Sequence, residues 1–522
     1  MGKLFLGLDS STQSLSAVVI DLASGGRIKE ISLNFGREFP EFDSPSGFLE
    51  NPDALVRQSN PLLWCAALDR LCAELPKYGI NPAAIAGISG SGQQHGSVYL
   101  DAEFAKNGLR ADPARDLAAA VAPRLTRAVA PIWMDSSTSA ECAEITAAAG
   151  GVDRVRSLSG SAAVERFTGP QIRRFFKTEP DAYRRTGVIH LVSSFLASLL
   201  TGRNAHIDLG DGAGMNLLDL ARGDWSQLLL DATAPELRAK LPLPMASATQ
   251  IGAVSDYFVK KYGFAAGTPV VAWSGDNPCS LIGVGGWRPG TVVVSLGTSH
   301  TLFAAMPRPV VDPDGCGHVF GNPAGGFMSL ICFKNGALAL AAAKDECGMT
   351  WPQVEAALAV TPAGNHGNLI LPYYVPEITP LVLKPGVVRK GTPAFMAGRD
   401  KAETLRAVVE AQALRLALHS AWMGVTPDCL RVTGGASVNR GFCQILADVF
   451  NARVERLATG NSAALGAALR AAQAVAGADW ASLTATFCKP SAEAEIVPDP
   501  SHAEVYAALR AEYAAFAKSR LG

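Results

Sequence analysis

An aspartate followed by three hydroxyl residues, Asp9-Ser10-Ser11-Thr12, closes the first apolar run of the sequence. Backbone N–H groups and Ser/Thr hydroxyls gathered at a tight turn suit phosphate oxygens. A carboxylate beside such a cradle can hold Mg2+, directly or through water. The same residues also fit an Asp that only satisfies turn N–H groups. A second passage weighs against that plain reading. Val292-Val293-Val294-Ser295-Leu296-Gly297-Thr298-Ser299 again runs from an apolar strand pattern into a small, hydroxyl-rich turn, then into another apolar run from Leu302 to Ala305. Two such hairpins half a chain apart predict a duplicated fold that grips a nucleotide from both sides. Ser11, Thr12, Gly297 and Thr298 are then the candidate phosphate contacts, and Asp9 the candidate metal residue.

Gly275-Asp276-Asn277 follows the apolar run Val270 to Ser274 and precedes a small-residue helical stretch, Pro278 to Gly285. Loops at the C-terminal ends of strands carry catalytic groups in α/β proteins, and a helix N-terminus favours an ionised carboxylate and a nearby anion. Asp276 is therefore a candidate general base, and it also fits an N-cap. Gln93-Gln94-His95-Gly96 sets neutral donors and acceptors on one loop, which suits the hydroxyls of a polyol. Trp133-Met134-Asp135 pairs an aromatic face with a carboxylate, a combination that holds sugars and also occurs as a core Trp beside a turn Asp. Thr433-Gly434-Gly435-Ala436-Ser437-Val438-Asn439 reads as strand, double glycine, helix, where a flat ring or ribose can approach the backbone. Neither G-x-G-x-x-G nor G-x-x-x-x-G-K-[ST] occurs, which disfavours a dinucleotide site and a P-loop. Glu165 to Gly169 and Asp208 to Gly214 are polar passages without a reading of their own.

The elements that must position these groups alternate between strand and helix patterns. Strands are expected at Ile85 to Ile88, Pro269 to Trp273 and Arg431 to Thr433. Helices are expected around Leu55 to Leu75 after an Asn51-Pro52 cap, at Val188 to Leu200, at Leu405 to Met423, and after a Ser501-x-x-Glu504 capping box. At 522 residues the chain exceeds one core. The turn-rich passage Tyr262 to Thr268 suggests a break giving domains 1–264 and 265–522. Net charge is −1, so no broad basic surface for nucleic acid is expected. The ten cysteines contain no C-x-x-C pair, which fits reduced thiols in the cytoplasm. The apolar runs are too short to span a bilayer.

In order, the Asp9 hairpin, the Gln93 loop, Trp133-Met134-Asp135, Gly275-Asp276-Asn277, the Ser295 hairpin and Gly434-Gly435 resemble the FGGY family of sugar kinases. The resemblance spans nearly the whole chain. The blocks Ser89 to Ser97, Pro131 to Ser137, Glu165 to Gly169, Gly212 to Leu217 and Leu330 to Gly336 look specifically like the xylulokinases of eukaryotic type within it. It implies an α/β fold of two duplicated actin/Hsp70-like (ribonuclease H-like) ATPase domains with the active site in the cleft between them. The N-terminal domain would bind sugar and the C-terminal domain nucleotide. It implies ATP and Mg2+ as cofactors and D-xylulose as acceptor, with Asp276 as base and Asp9 placing Mg-ATP.

By the same resemblance Gln94, His95, Trp133, Asp135, Arg166, Asp276 and Asn277 would border the sugar. Trp351, Gly434, Gly435, Ala436 and Asn439 would border the adenosine. A turn of Ser10-Ser11-Thr12 stands where many members have Gly-Thr after the Asp. Kinases of the same family acting on ribulose, gluconate or glycerol share the ATP motifs. A non-catalytic ATP switch of the Hsp70 or actin kind is a third reading, disfavoured because the chain ends soon after its last ATPase-type helix. The expected oligomer is a monomer or homodimer.

Overall fold

The computed structural model describes residues 3–457, 460–491 and 495–521. It divides into two compact units. The first comprises Met1–Trp287, Val319–Phe327 and Gly460–Cys488, and the second Arg288–His318, Met328–Thr459 and Lys489–Gly522.

In the first unit, β1 (Leu4–Ser10), β2 (Ser14–Asp21) and β3 (Gly26–Asn34) form an antiparallel meander, and β4 (Ile85–Gly92) adds to β1 in parallel. Next to β4 lie β5 (Pro269–Val271) and β6 (Ser274–Gly275), both parallel to it. The strands read as near-continuous apolar runs because the sheet is covered on both faces. Leu6, Leu8, Ala17 and Val19 join one core with Trp64, Leu196 and Trp273. Phe5, Val18 and Ile20, offset by one residue, join another with Leu465 and Leu469. Period-two alternation thus assigns each side chain to a layer.

The second layer is carried by a helix from far along the chain, Ser462–Ala476. It lies so close to β1 that a Cβ on Gly7 would sit 2.0 Å from the Ala464 carbonyl oxygen. The pairing of β5 and β6 with β4 is also why the first unit runs past a break at 264, to Trp287.

The second unit repeats the pattern. An antiparallel pair, β7 (Thr291–Leu296) and β8 (His300–Met306), is followed by β9 (Cys429–Thr433), parallel to β7, and β10 (Arg453–Arg456), parallel to β9. No helix among the described residues is long and apolar enough to cross a membrane.

Three local expectations are corrected. The Asn-Pro helix start works at Asn60-Pro61 rather than Asn51-Pro52: Asn60 accepts the Leu62 N–H at 2.9 Å and the helix is Pro61–Glu74. Pro61 therefore opens the helix rather than kinking it. The run from Val188 divides into a strand, Thr186–Leu191, and a helix, Val192–Thr201. Near the C-terminus the cap is Asp499, which accepts the N–H and hydroxyl of Ser501, so no Ser501 capping box forms.

Candidate active site

Register brings the key residues of the first unit together. Asp9 on β1 lies opposite Ser91 on β4, and Ser91 lies opposite Ser274 on β6. Asp276 follows Ser274 by two residues and His95 follows Ser91 by four. Asp9, Ser91, His95 and Asp276 therefore gather where parallel strands end, the place where α/β sheets present chemistry.

Asp9 is buried, and its Oδ1 accepts the Ser91 hydroxyl at 2.7 Å. Burial and the neighbouring Asp276 carboxylate push its pKa up to about 7. Asp276 is the first residue of helix Asp276–Gly283, one position past the N-cap, Gly275, so the cap reading moves by one residue. Its Oδ1 accepts the Asn277 backbone N–H at 2.8 Å and the Asn277 side-chain amide at 3.1 Å. Burial raises its pKa to about 6, against the hydrogen bonds of the Asn277 and Gln94 backbones. Two neighbouring carboxylates that resist ionisation together suit a cation. No cluster of three His, Cys, Asp or Glu able to hold a metal occurs among the described residues.

His95 is buried in left-handed backbone at φ 71°, a conformation that costs energy outside glycine. Its backbone oxygen accepts the Thr168 hydroxyl at 2.9 Å, and its ring lies 4.5 Å from the Phe167 ring. Burial first, and the Arg166 charge second, lower its pKa to about 3, so the imidazole is neutral. With Nδ1 2.7 Å from the Gly214 carbonyl oxygen, Nδ1 carries the proton and donates, which leaves Nε2 an acceptor. Arg166 stacks on Phe167, its guanidinium carbon 5.6 Å from the ring centre. Gln94 joins the two loops, accepting the Asn277 side-chain N–H on Oε1 at 2.9 Å. Its chain packs on Gly275, where a Cβ would fall 2.5 Å from Gln94 Cγ. Gln93 Oε1 and Nε2, Gln94 Nε2 and Ser10 Oγ are buried without a partner among the described residues, a concentration of orphan polar atoms around this point.

Asp135 is placed differently from the other sugar candidates. It is buried and its oxygens accept from the Arg57 and Ser137 backbones, the Ser137 hydroxyl and the Gln171 amide. Trp133 is 44% exposed and donates from Nε1 to Thr12 Oγ1 at 2.8 Å, which ties it to the first hairpin. Ser11 directs its hydroxyl at Ser14 within the same turn.

In the second unit, Gly297 and Thr298 sit in the turn between β7 and β8, and their carbonyls accept the Ala337 and Leu338 N–H groups at 3.0 and 3.3 Å. Gly434 follows β9 at φ 90°, and a Cβ there would lie 2.7 Å from the Leu296 carbonyl. Gly435 and Ala436 form a 3-10 turn, with open space where a Gly435 side chain would stand. Asn439 caps helix Arg440–Phe450 through Oδ1, accepting the Phe442 N–H at 2.8 Å. Trp351 opens helix Trp351–Val360, half exposed, with the Lys344 ammonium 5.4 Å from its ring. Sequence reasoning missed Gly214, Asp208 and Asp211, which lie in the passage left without a reading. Repeated polar residues beside glycines were the signal for Asp208 and Asp211, and Gly214 also lay in the family-like block Gly212 to Leu217.

Residues 123–283 match the N-terminal domain of the FGGY family of carbohydrate kinases, and residues 292–475 its C-terminal domain. A xylulose kinase of Rattus norvegicus is 40% identical over 98% of this chain and 95% of its own length. Xylulose kinase 2 of Arabidopsis thaliana is 37% identical over 90% of this chain and 87% of its own. The solved structure of a xylulose kinase from Rhodospirillum rubrum has the same fold, with TM-score 0.82 at 22% identity, covering 99% of each chain. With both domain types in order and such relatives over nearly its full length, the chain belongs to the FGGY family of carbohydrate kinases.

Proposed function

We propose that this protein transfers the γ-phosphoryl group of ATP to the C5 hydroxyl of D-xylulose, giving D-xylulose 5-phosphate and ADP. The observation that carries it is the cluster at the strand ends of the first unit. There a carboxylate with a pKa near 6 and a neutral, buried histidine stand beside unpartnered polar groups. The near full-length similarity to xylulose kinases supports the choice of sugar.

In this reading His95 Nε2 and Asn277 Oδ1 accept sugar hydroxyls, while Gln94 Nε2 and Arg166 donate to others. Asp276 takes the proton of the attacking hydroxyl as its oxygen bonds to the γ-phosphorus and the bond to the ADP oxygen breaks. Burial brings Asp276 closer to neutral pH than an ordinary Asp of about 3.9, which makes it a better base. Asp9, with one oxygen tied to Ser91 and the Asp276 carboxylate beside it, would hold the Mg2+ that comes with ATP, and that ion would supply charge neutralisation at the phosphates. Thr12 and Ser11 of the first hairpin and Gly297 and Thr298 of the second serve the phosphates. Trp351, Gly434, Gly435, Ala436 and Asn439 serve the adenosine. Asp135 holds the Trp133 segment rather than the sugar. The absence of any C-x-x-C pair in the sequence supports a cytoplasmic location.

A coupled ADP-release assay across ketoses, aldoses and polyols tests the assignment. D-xylulose is expected to give the highest kcat/KM. Far better turnover of glycerol, gluconate or ribulose would remove the sugar assignment.

His95→Ala is expected to act on the sugar alone. Losing a buried hydrogen bond costs about 1–3 kcal/mol, so the sugar KM rises by roughly one to two orders of magnitude while the ATP KM stays put. Steady-state titration of each substrate checks this, and a shift confined to ATP would show that the Gln93 to Gly96 loop does not hold sugar.

A further inference from the structure

Next to the Asp276 loop lies a buried ion pair that the proposed chemistry does not use. Asp208 and Arg470 are both almost fully buried, with Oδ2 and Nη2 3.7 Å apart. Asp208 Oδ1 accepts the Ser274 hydroxyl at 2.8 Å and the Asp211 N–H at 2.7 Å, and Oδ2 accepts the Ser247 hydroxyl. Arg470 comes from the helix Ser462–Ala476 and donates to backbone carbonyls. Nη2 reaches Ala272 at 2.7 Å and Ser247 at 3.0 Å, and Nη1 reaches Gly90 at 3.3 Å.

These contacts fall on one small frame. Gly90 precedes Ser91, the residue that holds Asp9. Ala272 and Ser274 flank the turn from β5 into β6, and Ser274 stands two residues before Asp276. A third acid belongs to the group. Asp211 is fully buried, and its Oδ2 accepts the Ser193 hydroxyl at 2.5 Å. Burial, with the Asp208 and Asp276 carboxylates, raises its pKa well above the usual carboxylate range.

A buried ion pair rarely stabilises a protein more than apolar packing of the same volume, so stability alone gives little reason for this one. A planar, multiply donating guanidinium does, however, fix the carbonyls it touches in direction as well as distance. We propose that Asp208 and Arg470 are positioning residues for Asp276. Through Ser274 and the carbonyls of Gly90 and Ala272, they hold the two strand ends in the one arrangement that aims the base at the sugar hydroxyl. The proposal rests on the reading of Asp276 as the base.

The test uses the full chain with D-xylulose and saturating Mg-ATP. Ser274→Ala removes one hydroxyl and leaves both charges paired, and Arg470→Lys keeps the charge but loses the fork. Small misplacements of reacting groups cost up to about a hundredfold. Ser274→Ala is therefore expected to lower kcat about tenfold and Arg470→Lys further, with the KM values for sugar and ATP within about twofold. In an Asp276→Asn background, Ser274→Ala should cost nothing more, because it acts through the base. A folded Ser274→Ala protein with lower melting temperature but wild-type kcat would overturn the proposal, as would an undiminished loss in the Asn background. If Arg470→Lys does not fold, Ser274→Ala decides. Failure of the base reading shows separately, as normal turnover by Asp276→Asn itself.

Discussion

Asp276→Asn is expected to lower kcat by about 10²–10⁴-fold, the usual worth of general-base catalysis, while sugar and nucleotide still bind. Asn keeps the size of the side chain and an acceptor oxygen for the Asn277 N–H groups that now meet Oδ1. The cap of this helix is Gly275, so the substitution leaves the cap itself in place. Folding should therefore survive. The pH dependence follows from the raised pKa. A base must be deprotonated to act, and this carboxyl holds its proton up to about 6. Wild-type kcat/KM should rise as pH increases through about 6, and the Asn variant should lose that limb. Calorimetric titration with xylulose beside the steady-state rate checks both parts. A folded, sugar-binding variant with near wild-type kcat would end the catalytic assignment.

What could be read in the sequence was what depends on short spans. The two hairpins, the strand before Gln93 and the Gly275-Asp276-Asn277 turn each lie within a few residues, and all four form, with the cap of the last moved to Gly275. Pairing was not legible, because it is a long-range event. Nothing local says that Ser274 pairs beside Ser91, or that a helix from Ser462 returns to cover β1. The same limit explains Asp135. The neighbouring Trp133 suggests a sugar platform, whereas the bonds of Asp135 to Arg57 and Gln171 come from elsewhere in the chain. It likewise hid Asp208 and Arg470, which are 262 residues apart by subtraction of their numbers and meet only in the folded sheet. The missed helix start at Asn60 is a different failure. Two Asn-Pro pairs occur nine residues apart, at Asn51-Pro52 and Asn60-Pro61, and only burial of Leu63, Trp64 and Leu68 selects the second.

Asp9→Asn should move activity and stability in opposite directions. Asn keeps an oxygen for the Ser91 hydroxyl but loses the charge proposed to hold magnesium. Groups that orient a metal's ligands are typically worth about 10–100-fold, so kcat should fall by about that factor, with a higher magnesium requirement and little change in sugar affinity. Without ligands the native carboxylate is a burden, since burial and Asp276 hold its pKa near 7 against an ordinary 3.8. Between those values the unfolded chain has lost the proton and the native state retains it. The native state therefore binds more protons, and stability falls as pH rises through that window. The cost is present in full above about 7 and absent below about 4. It is on the order of a few kcal/mol. Ligand-free Asp9→Asn should thus melt higher than wild type at about pH 8 and alike at about pH 4. Mg-ATP should narrow the gap at the higher pH, because it stabilises the state that binds it. Thermal melts at both pH values, with and without Mg-ATP, run beside a magnesium titration of kcat, measure every part of this pattern. Equal melting at the higher pH with an unchanged kcat would return Asp9 to the role of a turn residue.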